Sequence, residues 1–115
     1  MGSKTLNTSS DLTLIHNSII RAIELIDDNK ALANIHLDEN KGIYIDKYGT
    51  IIFEVNGGLN LIRGGDWKDY FEILSKFISN LNIYFQLECW MLDLKYDALD
   101  DLFRGTFGIR YKESE

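Results

Sequence analysis

The spacing of apolar residues predicts an α+β fold: a mostly antiparallel sheet of about five to six strands, two main helices and a short C-terminal helix. Three observations carry this. Apolar residues recur at helical spacing over residues 11–28 and again over 66–81. Over 42–63 the period falls to two, with Gly and Asn punctuating the chain as in a β-meander. Strands follow one another early and helices are interspersed later, which is the order of an α+β fold rather than a parallel α/β one.

Taken in order, Ser9-Ser10-Asp11 reads as a helix start, where hydroxyls cap free amides and an acid meets the positive end of the dipole. Leu12, Ile15, Ile19, Ala22, Ile23 and Ile26 then form one apolar stripe, ending near Asp27-Asp28-Asn29. Asn34–Asp38 is an expected short strand. Gly42–Asp46 and Thr50–Val55 form a hairpin through Lys47-Tyr48-Gly49, where glycine supplies the left-handed backbone of a tight turn. Asn56-Gly57-Gly58 is expected to turn again into a strand over Leu59–Arg63.

Gly64-Gly65 breaks the alternation, and Asp66 is placed to cap a helix with Trp67, Tyr70, Phe71, Leu74, Phe77, Ile78 and Leu81 on its apolar side. From Ile83 to Met91 the odd positions are apolar, as in a half-buried strand. Tyr96–Phe103 then reads as the short helix, and Thr106–Tyr111 as a final strand with Phe107, Ile109 and Tyr111 inward.

A chain of 115 residues with 45% hydrophobic content suits one domain with one core, 1–115, its first eight residues flexible. There is no proline, so turns rely on Gly, Asn and Asp. Cys89 is the only cysteine, which excludes an internal disulfide and fits a reducing compartment. The N-terminus lacks the apolar run of a secretory signal, and no stretch reaches the ~20 apolar residues of a membrane span. A cytoplasmic protein with no membrane association is the expectation.

The formal charge of −6 is shared evenly, with five basic and eight acidic residues in 1–57 and seven and ten in 58–115. Such a field repels phosphate backbones and disfavours direct nucleic-acid binding. It speeds encounter with a basic partner instead.

The densest charge is in DLKYDALDD, where Asp93, Asp97, Asp100 and Asp101 would share one face of a helix. Carboxylates along such a face diverge, whereas Mg²⁺ or Ca²⁺ needs converging oxygens, so no metal site is expected. Cys89, on the apolar side of a strand with no neighbouring cation, reads as an inert thiol rather than a nucleophile with His16 or His36 as base. The paired glycines lack Walker spacing, and Asp66 would oppose a phosphate. No catalytic residue and no cofactor are therefore expected.

Tyr44, Ile52, Ile62, Tyr84 and Trp90 alternate away from the side carrying Ile43, Ile45, Ile51, Phe53, Phe85 and Leu87. Either one helix covers each sheet face, or both cover one and the other is a docking surface. Glu88, Trp90 and Asp93 have the composition of a binding hot spot, with Tyr84 as a second anchor.

In charge, size and layout the chain resembles bacterial immunity proteins and phage-encoded inhibitors of nucleases. That resemblance rests on no shared motif. It implies a small acidic inhibitor or immunity-type neutraliser whose partner-binding residues are Asp93, Asp97, Asp100, Asp101, Glu88, Trp90 and Tyr84. Its partner would be a basic protein such as a nuclease toxin or a nucleic-acid-binding enzyme. Toxin neutralisation and phage counter-defence share this electrostatic solution. The alternative is an adaptor or secretion-type chaperone, often a homodimer, that holds a client segment on the apolar sheet face.

Overall fold

The computed structural model describes residues 9–26, 33–59 and 67–112. The elements run α1 (Ser9–Glu24), β1 (Ala33–Leu37), β2 (Tyr44–Ile45), β3 (Ile51–Leu59), α2 (Trp67–Phe85), β4 (Leu87–Asp97) and β5 (Leu102–Tyr111). The α+β class holds, with a five-stranded antiparallel sheet and two helices.

Strand order across the sheet is β1-β3-β5-β4, and β2 pairs with β3 beyond the end of β1. β3 is the central strand, with β1 and β2 along one edge and β5 along the other. The last strand thus inserts between β3 and β4, leaving β4 at the margin.

Both helices pack on the same face. Ile15, Ile19 and Ala22 of α1 and Tyr70, Ile73, Leu74, Phe77 and Leu81 of α2 are buried together with Ile51, Phe53 and Val55 of β3 and Phe103, Phe107 and Ile109 of β5. Phe53 stacks on Phe107 at 5.5 Å, and Phe77 meets both rings edge-on at 6.1 and 5.9 Å. Each such ring contributes about 1.5–3 kcal/mol on burial. The Asn80 side-chain amide donates to the carbonyl of Ala22 at 3.0 Å, satisfying a helix-end acceptor and tying α2 to α1.

Several expectations are corrected. The short helix over 96–103 is absent: β4 runs to Asp97, residues 98–101 turn, and β5 starts at Leu102. Cross-strand pairing from Leu87↔Tyr111 to Asp97↔Leu102 outweighs the helical preference of a few residues around Ala98. The strand expected from Ile83 begins instead at Leu87, because Phe85 continues the stripe of Phe77 and Leu81, and Gln86 then leaves the helix at φ 58°.

Asn56-Gly57-Gly58 is no turn either; β3 passes straight through it, bonded to β1 on one side and β5 on the other. The run of strands over 42–63 therefore reduces to the β2–β3 hairpin and a long β3, while a strand over 60–63 lies outside the described residues. The second helix ends at Phe85 rather than near 81, and the first is described to its end at Glu24. The cap at Asp66 and residues 1–8 also lie outside the described residues. The turn at Lys47-Tyr48-Gly49 holds: Gly49 has φ 81°, and Asp46 Oδ1 accepts the amides of Tyr48 and Thr50 at 2.9 Å.

Candidate partner-binding face

With both helices on one side, the other side of the sheet is left without a covering element among the described residues. A cross-strand row runs across it: Tyr44 faces Ile52, Ile52 faces Gly108 and Gly108 faces Trp90. Gly108 has a structural role here. A Cβ at that position would come within 2.6 Å of the indole Cε2 and Cζ2, so the absent side chain lets Trp90 lie flat on the sheet. The Arg110 guanidinium sits 5.6 Å from the Trp90 ring centroid while its Nε donates to Glu88 Oε2 at 2.8 Å. The ring is thereby held in one orientation, as an anchor requires.

Beyond this row the face turns polar. Glu54 is almost fully buried although no described helix covers it. Lys41 Nζ donates to its Oε1 at 2.9 Å, and its Oε2, without a hydrogen bond among the described residues, is 3.9 Å from Arg104 Nη1. The Asn56 side-chain amide donates to Asp38 Oδ2 at 3.3 Å. Burial works to raise the Asp38 carboxyl, but donors from the Lys41 amide, the Asn56 side chain and the Asn40 amide prevail and hold it below its ordinary value. Lys41 is held above its ordinary value by its bond to Glu54. His36, Leu37, Asp38, Glu39, Asn40, Asn56 and Arg104 line an open cleft of roughly 300 Å³ at this end.

The four aspartates do not share a helical face. Asp93 and Asp97 point outward from β4, Asp93 lying 3.7 Å from Lys95 Nζ. Asp97 Oδ1 accepts the amides of Leu99 and Asp100 at 3.0 and 3.3 Å, capping the β4–β5 turn. Asp97 and Asp100 flank Arg104 Nη2 at 3.6 and 3.7 Å. Asp101, at φ 49°, accepts the Tyr96 hydroxyl at 2.6 Å and raises that phenol above its ordinary value. The Tyr96 ring packs against the buried Phe103, so Asp101 is engaged with the inward-facing Tyr96 and not with Arg104 as Asp97 and Asp100 are. Tyr84 is exposed but stands in the last turn of α2, so it does not join Trp90.

The structure thus gathers Glu88, Trp90, Asp93, Asp97 and Asp100 on the open face and leaves out Asp101 and Tyr84. Tyr44, Ile52, Gly108, Arg104 and Arg110 complete it. Tyr44 and Ile52 are legible from alternation, whereas Gly108 acquires its meaning only from Trp90 on another strand. Around the aromatic row stand six carboxylates, Asp38, Glu54, Glu88, Asp93, Asp97 and Asp100, against four cations, Lys41, Lys95, Arg104 and Arg110. The face is acidic but largely compensated from within the chain.

Cys89 lies on the helix-covered side, where burial pushes its thiol up to about 12. Among the described residues there is no group of three His, Cys, Asp or Glu side chains arranged to hold a metal, and no helix long and apolar enough to cross a membrane.

Fold and face together define an α+β protein with one helix-covered and one open sheet surface. Comparison with protein-family models, curated proteins and solved structures finds no match to this chain.

Proposed function

We propose that this chain is a non-catalytic binding protein that takes a basic protein partner on its open sheet face, as an inhibitor or immunity-type neutraliser does. The observation that carries the reading is the cross-strand row of exposed Tyr44, buried Ile52 and half-buried Trp90 on a sheet whose described helices both lie on the far side. Aromatic anchors within a charged rim are the composition of protein-binding hot spots. The rim is exchangeable: the contacts of Asp93, Asp97 and Asp100 with Lys95 and Arg104 are 3.6–3.7 Å long and partly exposed, worth about 0.2–1 kcal/mol each. A partner's lysines and arginines can replace them at little cost. A nuclease toxin or a nucleic-acid-binding enzyme, whose active-site surface is basic, is the class of partner this charge suits, whether the setting is toxin immunity or phage counter-defence.

An adaptor or chaperone that holds a client segment is the second reading, favoured by the apolar part of the same row. Salt separates the two. Capture from host lysate steered by the rim falls steeply between low and high ionic strength, while capture on Tyr44 and Trp90 alone barely responds. Charge reversal at Asp93 and Asp100 abolishes capture under the first reading and leaves it unchanged under the second.

A further inference from the structure

We propose that β4 pairs antiparallel with β4 of a second copy, joining two sheets edge to edge about a two-fold axis that passes between Met91 and Leu92. β4 is a marginal strand of 11 residues, so one side of its backbone has no strand beside it among the described residues. Long unprotected edges are templates for pairing, and a bulge is a common device for blunting them. β4 carries such a bulge between Met91 and Asp93. Here the bulge selects a register instead of preventing one.

Leu87, Cys89 and Met91 pair with Tyr111, Ile109 and Phe107 on the helix-covered side, and Glu88 and Trp90 alternate outward. The extra residue shifts that alternation, so that beyond it Asp93, Lys95 and Asp97 face outward while Leu94 and Tyr96 face the helices. Two antiparallel strands related by a two-fold normal to the sheet must match outward with outward residues. With the axis between Met91 and Leu92, every position flanking the bulge matches: Glu88 faces Lys95 of the second copy, Trp90 faces Asp93, Cys89 faces Leu94, and Leu87 faces Tyr96. The two bulges meet each other, and Leu92, about half exposed, lies at the centre of the seam.

Neighbouring registers fail. A slip of one residue sets Glu88 against Leu94 or Tyr96 and puts outward against inward side chains throughout. A slip of two either sets Glu88 against Asp97 with the faces restored, or sets Glu88 against Asp93 and outward Trp90 against inward Met91. Only the proposed register both matches the faces and pairs opposite charges, and symmetry makes the Glu88–Lys95 pair twice. The helices of both copies then lie on one side, and the two open faces become one continuous surface.

Sedimentation equilibrium of the full chain, from micromolar to millimolar concentration, tests this. The native chain is expected to reach twice its chain mass. Glu88→Lys sets two ammonium groups against each other at both ends of the seam, and Lys95→Glu does the same with two carboxylates; each weakens self-association by roughly tenfold. Mixing the two variants restores it, because both pairs in the mixed dimer are again of like geometry and tolerable charge: one end unites the introduced lysine with the introduced glutamate, and the other unites the native Glu88 with the native Lys95. This recovery also shows that each variant is folded. A native chain that stays monomeric overturns the proposal. So does a dimer indifferent to both reversals, or a mixture that associates no better than its parts.

Discussion

Trp90 lies on the backbone of Gly108, its indole occupying the space where any larger residue on β5 would put a Cβ. The contact joins the marginal strand to its neighbour on the open side of the sheet. Gly108→Ala forces the ring or the strand to move, and is expected to destabilise the fold by about 1–3 kcal/mol. A chemical denaturation curve would show it, together with a change in the Trp90 fluorescence that reports a displaced indole.

Tyr70 gives the opposite sign. Its hydroxyl is buried in the core without a hydrogen-bond partner among the described residues, and burial pushes it up to about 12. The ring stacks on Phe103 at 4.4 Å and does not need the oxygen. Tyr70→Phe removes an unsatisfied buried group and is expected to stabilise the protein by about 1 kcal/mol, read as a higher denaturation midpoint.

Asp38 links stability to acid pH. Its carboxyl is held below the ordinary value of 3.8 in the folded chain, so its contribution is fully present above that pH and is lost as pH falls through the lower folded value. Stability measured from pH 6 downward should fall more steeply in the native chain than in Asp38→Asn. The two curves should converge at the acid end; parallel curves would remove Asp38 from the network around Glu54 and Asn56.

Cys89 is expected to resist chemistry. A thiol raised to about 12 carries almost no thiolate at neutral pH, and the thiolate is the reactive form. A disulfide reagent at pH 8 should label the native protein slowly and the unfolded protein rapidly. Fast labelling of the native chain would reopen a nucleophilic role.

The elements that the sequence displays clearly are those governed by their own periodicity. Ile15, Ile19 and Ala22, and Tyr70, Leu74, Phe77 and Leu81, announce their helices, and Phe107 and Ile109 their strand. The misreadings arise where local pattern and distant pairing disagree. Asp93, Asp97, Asp100 and Asp101 fit a helical face, but Tyr96 and Phe103 are brought to 4.8 Å by a hairpin. Asn56-Gly57-Gly58 has turn chemistry but lies between two strands that complete its hydrogen bonds. In the site, Glu88 and Trp90 are legible as outward residues of a strand. Tyr84 is not, because Phe85 extends α2 past it, and the role of Gly108 requires knowing which strand lies beside β5.

Partner capture on the open face depends on its aromatic row. Tyr44→Ala with Trp90→Ala truncates the aromatic row, while Leu14→Ala truncates an exposed apolar side chain on α1. Captured partner from host lysate is measured for both beside the native chain, each variant first shown to melt cooperatively. The face variant is expected to lose at least about tenfold in capture, the truncation of a central hot spot costing roughly 2 kcal/mol or more, and the helix variant to keep it. Capture retained by the face variant and lost by the helix variant would contradict this dependence.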